Sequence, residues 1–155
     1  MAKDQINFPA IEMVTKVEGG QTYVWDPLRS VYLLLTPEEE VRRYVIAFLI
    51  SHCGVLPHSI AQEYSVKING TAQRADIVVI DNTLRPTILV ECKAPEINID
   101  KAVFAQAVRY NAVLGARYIV LTNGHKHLCV EYKEGKYTTM RSFPTMVYPT
   151  PDAEL

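Results

Sequence analysis

Three short runs rich in β-branched residues follow one another in the middle of the chain: EYSVKING (63–70), ADIVVID (75–81) and TILVECKA (87–94). Turn-forming residues separate them, which predicts three sequential strands. Their short connections favour antiparallel pairing. With 155 residues, the chain has the length of one ordinary domain that buries a real core.

A strongly marked helix pattern, TPEEEVRRYVIAFLISHCG (36–54), precedes these strands. Thr36 suits the N-cap and Pro37 the first helical position. Glu39 is placed to close a capping box with Thr36, and Gly54 suits the C-terminal stop. The sequence therefore predicts a helix between these signals.

A second helix pattern, KAVFAQAVRYNAVLG (101–115), follows the strands, with Asp100 as its N-cap and Gly115 at its end. RYIVLTNG (117–124) predicts a further buried strand. HLCVEYKEGKYTTM (127–140) predicts a closing hairpin, and the proline-rich tail after it is expected to be irregular.

The N-terminal segment, residues 1 to about 35, has the pattern of an extended arm. It carries a predicted hairpin, VEGGQTYVW, with Gly19 and Gly20 at the turn, and a possible further strand in LRSVYLLL. The order of elements predicts an α/β fold with a mixed central β-sheet flanked by helices and with strand additions at both termini.

We predict a single domain over 1–155, because no repeat or linker divides the chain. Within it we expect an arm over 1–35, a core over 36–128, and a C-terminal hairpin and tail over 129–155.

Composition excludes several classes of protein. The net charge of −1 gives no global attraction to nucleic acid, so any DNA contact must use a local patch. The longest apolar run, YVIAFLI, is far shorter than the roughly 18 residues that a membrane span needs. Three cysteines (Cys53, Cys92 and Cys129) without CxxC spacing argue against a disulfide framework and a zinc site, and fit a cytoplasmic location.

Two charged residues, Glu91 and Lys93, interrupt the apolar strand run ILVECKAP. Side chains alternate across a strand, so both lie on one face. If DNTLRP forms a symmetric connection, Asp76 lies directly opposite Glu91, with Cβ atoms about 5 Å apart. Two such carboxylates repel unless a cation lies between them, and their oxygens suit Mg²⁺ or Mn²⁺.

This arrangement indicates phosphodiester hydrolysis, since Lys93 could reach a phosphate oxygen or an attacking water. The alternative is that Asp76 begins its strand at a solvated edge. Glu91 would then pair with Lys93 on an exposed face.

Five blocks carry a family resemblance: LTPEEEVRR, RADIVVI, LVECKAP, AQAVRYN and VLTNG, in that order. Between about residues 24 and 128 the chain resembles the N-terminal nuclease domain of type I restriction enzyme R subunits, in the PD-(D/E)xK nuclease superfamily. Ala75 stands where the superfamily motif has proline. The resemblance implies a restriction-endonuclease-like core.

The resemblance also implies roles for particular residues. Asp76, Glu91 and the backbone carbonyl of Cys92 would bind Mg²⁺, with Mn²⁺ as a possible substitute. Lys93 would position water and stabilise the transition state, and an acid from the first helix would complete the metal site.

Helical geometry selects Glu38 as that acid. At 100° per residue, Glu38 falls between Val45 and Leu49 on the face that meets the sheet, whereas Glu39 and Glu40 point elsewhere. These two are better explained by the favourable interaction of acids with a helix N-terminus. The alternative is that all three acids serve only that purpose.

Gln106 and Tyr110 lie four apart on one face of the second helix. Their spacing resembles a Q-x-x-x-Y motif that lies beside the active site in part of the superfamily; the alternative is a glutamine at the edge of a packed stripe. Arg74, Lys101 and Arg109 are candidate contacts to a DNA backbone, or else ordinary solvated charges.

The resemblance implies a Mg²⁺-dependent DNA endonuclease domain, a deoxyribonuclease of the type I R-subunit kind. One alternative is a non-cleaving DNA-binding or partner-binding module of a restriction–modification system that keeps the fold. Another is a structural α/β domain. The sequence contains no GxxxxGK[ST] phosphate loop, so separate motor, specificity or methylase subunits are possible partners, and an oligomer is possible too.

Overall fold

A computed structural model describes residues 6–148. This part of the chain contains two α-helices and nine strands, and the strands form two sheets. Along the chain the elements are β1 (Thr15–Glu18), β2 (Gln21–Asp26), β3 (Val31–Leu34), α1 (Pro37–His52), a single 3-10 turn (Pro57–Ser59), β4 (Ile60–Ile68), β5 (Thr71–Ile80), β6 (Pro86–Cys92), α2 (Lys101–Leu114), β7 (Tyr118–Thr122), β8 (His127–Lys133) and β9 (Lys136–Met140).

The main sheet has six strands in the order β4-β5-β6-β7-β8-β9. Only β6 and β7 are parallel, and α2 is the crossover between them; the other neighbouring pairs are antiparallel. Strands β1, β2 and β3 form a separate antiparallel sheet. The predicted α/β fold with a mixed sheet and added strands is therefore confirmed.

The helix boundaries follow from the capping residues. Thr36 Oγ1 accepts the backbone N–H of Glu39 at 3.0 Å, and Asp100 Oδ1 accepts that of Val103 at 3.0 Å. Gly115 ends α2 with a φ of 69°, in the left-handed region that favours glycine. Only half of the predicted capping box forms, because the Glu39 side chain binds arginines instead.

The six-stranded sheet has a hydrophobic core on each face. On one face, α1 packs through Val41, Val45 and Leu49 against alternate strand residues such as Ile77. On the other, α2 packs against the intervening ones, such as Val78. The main sheet therefore lies between the two helices.

All three cysteines are buried free thiols. Within residues 6–148, neither helix is long and apolar enough to cross a bilayer. Residues 141–148 form no helix or strand, and the rest of the tail lies outside the described residues. The division into an arm, core and tail stays a prediction.

The packing of α1 gives a stability prediction. Leu49→Ala should lower the free energy of unfolding by about 3 kcal/mol, because Leu49 is fully buried against the sheet. Ile50→Ala, one position along the helix and 36% exposed, should cost less than about 1 kcal/mol. Urea unfolding of both variants measures the difference, and equal losses would contradict the packing described for α1.

Candidate active site

The pairing of β5 with β6 brings two carboxylates together. Ile77 pairs with Val90, and one step further along the same register sets Asp76 opposite Glu91. This is the predicted pairing, but the symmetric DNTLRP connection assumed for it does not form, because Ile80 pairs with Pro86. The register shifts only beyond Val79, next to the turn.

Each of the two carboxylates accepts a backbone hydrogen bond from the opposite strand. The N–H of Asp76 donates to Glu91 Oε2 at 2.9 Å, and the N–H of Cys92 donates to Asp76 Oδ2 at 2.7 Å. Glu91 is only 6% exposed. The two acids are therefore fixed by the strands themselves, in a setting with little water.

Burial disfavours the ionised forms of both acids. It raises the pKa of Asp76 to about 6, although the hydrogen bond from Cys92 opposes the rise. Burial, and then the neighbouring charge of Asp76, raises the pKa of Glu91 to about 8. Paired carboxylates with raised pKa values are a donor set that a divalent cation fits, because it would offset their repulsion.

Lys93 follows directly after β6, where its backbone N–H donates to the carbonyl of Thr122 at 2.8 Å. Its positive charge partly opposes the rise in the pKa of both Asp76 and Glu91. The structure thus brings the three residues of the predicted core together; their roles remain predictions.

Glu38 lies in the first turn of α1 and is exposed. Its negative charge contributes to the raised pKa of both Asp76 and Glu91, so it lies near them. Within residues 6–148, however, no three His, Cys, Asp or Glu side chains stand close enough together to hold a metal ion. Glu38 is therefore near Asp76 and Glu91 but not close enough to share a metal ion with them.

Gln106 and Tyr110 lie beside the same pair. Gln106 Nε2 donates to the Tyr110 hydroxyl at 3.3 Å. Burial raises the pKa of Tyr110, and the charges of Glu91 and Asp76 raise it further. The predicted Q-x-x-x-Y residues are thus in place next to the carboxylates, while their function stays a prediction.

The three candidate DNA contacts are all exposed. Arg74 forms an ion pair with Glu63 at 3.3 Å, whereas Lys101 and Arg109 lie on α2. Their predicted contact with a phosphate backbone is not tested by these positions.

Glu39 lies in the first turn of α1, where the predicted interaction with the helix N-terminus is possible, but it also makes contacts that the sequence did not predict. Glu39 is 6% exposed and forms ion pairs with Arg42 and Arg43. The geometry of 100° per residue points Glu39 away from the main sheet. That side of α1 is not open to water, because Arg43 there also contacts Asp26 of β2 at 3.1 Å.

Sequence reasoning missed the structure to which Glu39 belongs. Three acids and three arginines alternate in a closed ring that joins β2 and its following turn, α1 and β4, with ion-pair distances between 2.7 and 3.8 Å. We call it the charge ring; in order, its members are Asp26, Arg43, Glu39, Arg42, Glu63 and Arg29.

Gln62 adds hydrogen bonds inside the charge ring. It accepts from Arg43 at 2.6 Å and donates to Asp26 at 2.9 Å. Burial alone would raise the pKa of Asp26, but Arg29 and Arg43 outweigh it and hold that pKa below its usual value. The one sequence signal for the ring is the consecutive Arg42 and Arg43 in a helix whose other face is apolar.

A family model described as the type I restriction enzyme R protein N terminus matches residues 37–144. That range includes α1, the paired carboxylates and α2. The chain belongs to this family. None of the curated proteins compared matches it.

Among solved structures, a chain described as a fragment of the HsdR subunit of a type I restriction enzyme from Vibrio vulnificus YJ016 is 27% identical, with a TM-score of 0.55. The match covers 72% of this chain and 24% of that one, so this chain spans about a quarter of its length. A DUF820 protein from Anabaena variabilis ATCC 29413, described as a nuclease, matches over 93% of this chain and 85% of its own, at 11% identity and a TM-score of 0.47.

The raised carboxylate pKa values predict a pH dependence of stability. Glu91 has an ordinary pKa of 4.5 and a folded-state pKa of about 8, so the folded protein binds its proton more tightly than the unfolded chain. Stability should therefore fall as the pH rises through that window, by about 2 kcal/mol or more. Glu91→Gln should remove most of this fall.

Urea unfolding in EDTA from about pH 5 to about pH 8 measures this difference between wild type and variant. His127, whose pKa burial lowers, acts in the opposite direction, but it is present in both proteins and cancels in the comparison. Parallel pH profiles would show that Glu91 does not carry the raised pKa.

Proposed function

We propose that this chain is a divalent-metal-dependent DNA endonuclease domain of the type I restriction R-subunit kind. The observation that carries the proposal is the carboxylate pair of the partly buried Asp76 and the buried Glu91, held by reciprocal backbone hydrogen bonds with Lys93 beside it. A structural domain has no evident use for two repelling carboxylates there, since each raises the cost of folding at neutral pH.

Asp76 and Glu91, with the backbone carbonyl of Cys92 and with Glu38, are the groups that would hold Mg²⁺ or Mn²⁺. The bound ion would act as a Lewis acid on a phosphoryl oxygen and make a water nucleophilic at neutral pH. Glu38 would have to approach the pair for this, which its exposed position at the start of α1 allows.

Lys93 would supply the second positive charge. Its ammonium has three donors and no acceptor, so it can hold an attacking water or a phosphate oxygen near the two acids. Gln106 and Tyr110 would form the wall next to Glu91, where the Gln106–Tyr110 hydrogen bond fixes the orientation of both side chains. Arg74, Lys101 and Arg109 remain proposed contacts to the DNA backbone.

The proposed partners follow from the family. The Vibrio vulnificus chain is described as part of a type I restriction enzyme, so we propose DNA as the substrate and separate motor, specificity or methylase subunits as partners. A cytoplasmic location fits both this role and the three buried free thiols.

A second candidate function is a non-cleaving module that binds DNA or partner subunits. One observation favours it: within residues 6–148 no third acid stands close enough to complete a metal cluster with the carboxylate pair. A site that closes only with DNA or a partner would behave in this way, as would one that never cuts.

Cleavage of supercoiled plasmid tests the proposal directly. Wild-type protein should nick or linearise the plasmid with Mg²⁺ or Mn²⁺ and not with EDTA. Lys93→Ala should lower the rate by about 10²-fold or more, because it removes a charge aimed at the reacting phosphate. Lys136→Ala, at an exposed lysine in β9, is the matched control and should cut normally.

Two results would contradict the endonuclease proposal. Cleavage by Lys93→Ala at the wild-type rate would remove Lys93 from the reaction. Failure of pure wild-type protein to cut, also when the subunits of a type I system are added, together with metal-independent DNA binding, would favour the non-cleaving module.

A further inference from the structure

Arg42 lies where the charge ring meets the candidate active site. It follows Glu38 by four residues, so the two side chains share one face of α1. Its Nη2 donates to Glu39 at 2.9 Å, and its Nη1 lies 3.8 Å from Glu63. The Arg42 side chain is 11% exposed, so the guanidinium is fixed within the protein rather than extended into water.

Glu63, one of the acids that hold Arg42, is also placed by the sheet next to the metal site. Gln62 pairs with Ile77, so Glu63 lies opposite Asp76 on the other side of β5. Its φ is +53°, a left-handed conformation that is costly for a residue other than glycine. Such strain persists when the surroundings hold the residue, and here ion pairs to arginines do so.

Electrostatics links Arg42 to the carboxylates as well. Its charge lowers the pKa of Asp76, whereas the charge of Glu38 raises it. A fixed cation on α1 therefore acts on the carboxylate of Asp76. It is a different group from Lys93, which follows β6.

We propose that Arg42 is a positioning residue of the metal site. Paired with Glu39 of α1 and lying 3.8 Å from Glu63 of β4, its guanidinium joins the helix that carries Glu38 to the strand beside Asp76. This link would set Glu38 and Asp76 relative to each other, so that a divalent cation can bind both. This inference rests on the proposed function, because it concerns the same site. Groups that orient metal ligands in this way typically change metal affinity by about 10- to 100-fold when they are removed.

The sign of the effect separates positioning from simple charge repulsion. A fixed cation near a metal site repels the metal, so repulsion alone predicts tighter metal binding once Arg42 is removed. Positioning predicts weaker binding, because the helix that carries Glu38 loses a link to the strand beside Asp76. The two accounts therefore make opposite predictions for one measurement.

The experiment is a Mn²⁺ titration of the full chain without DNA, followed by electron paramagnetic resonance. Arg42→Met should weaken Mn²⁺ binding by about tenfold. Arg42→Lys should restore only part of the affinity, because an ammonium cannot reproduce the planar fork of the guanidinium. Arg117→Met removes an exposed arginine just before β7 that pairs with Glu131 of β8, and this variant should bind Mn²⁺ as wild type does.

Wild-type or tighter Mn²⁺ binding by folded Arg42→Met would overturn the inference and leave the proposed function intact. If wild-type protein binds no Mn²⁺, the metal site and this inference fall together. Arg42→Met could fail to fold, because removing one partner of a buried ion pair leaves the other unpaired. In that case Arg42→Lys decides: several-fold weaker binding supports positioning, and wild-type affinity overturns it.

Discussion

The geometry of the candidate active site depends on two hydrogen bonds between β5 and β6. In each, a backbone N–H of one strand donates to a carboxylate of the other strand. Asp76 and Glu91 each accept an N–H from the opposite strand, so the strand register itself sets their separation. A slip of one residue would turn every side chain of a strand to the other face and break both bonds. The apolar residues around Glu91 keep water away, and that burial is the main cause of the raised pKa values.

The charge ring connects the N-terminal segment to α1 and to β4 of the main sheet. Asp26 and Arg29 come from β2 and the turn after it, and they are linked through α1 to Glu63 of β4, the neighbour of Asp76. Buried ion pairs of this kind add little net stability, because desolvation offsets their attraction, but breaking one is costly. The ring is therefore better understood as fixing where α1 and its acid Glu38 stand relative to the sheet.

Much of the fold follows from local signals. The caps at Thr36 and Asp100 are short-range hydrogen bonds that the local sequence specifies. Asp76 was paired correctly with Glu91, but from a symmetric connection, whereas the structure has a register shift between Val79 and Ile80. The charge ring could not be found in this way, because its members lie far apart in sequence and single arginines look like solvated charges. The contacts of Glu39 were missed for the same reason, because the geometry of one helix does not show that its neighbour Arg43 pairs with Asp26 of the second sheet.

We propose that Asp76 and Glu91 bind one divalent cation between them. Anomalous diffraction from crystals of the chain grown with Mn²⁺ tests it most directly. We expect an anomalous peak between the two carboxylates, within coordination distance of an oxygen of each. Mn²⁺ found at other positions while the space between these carboxylates stays empty would contradict it.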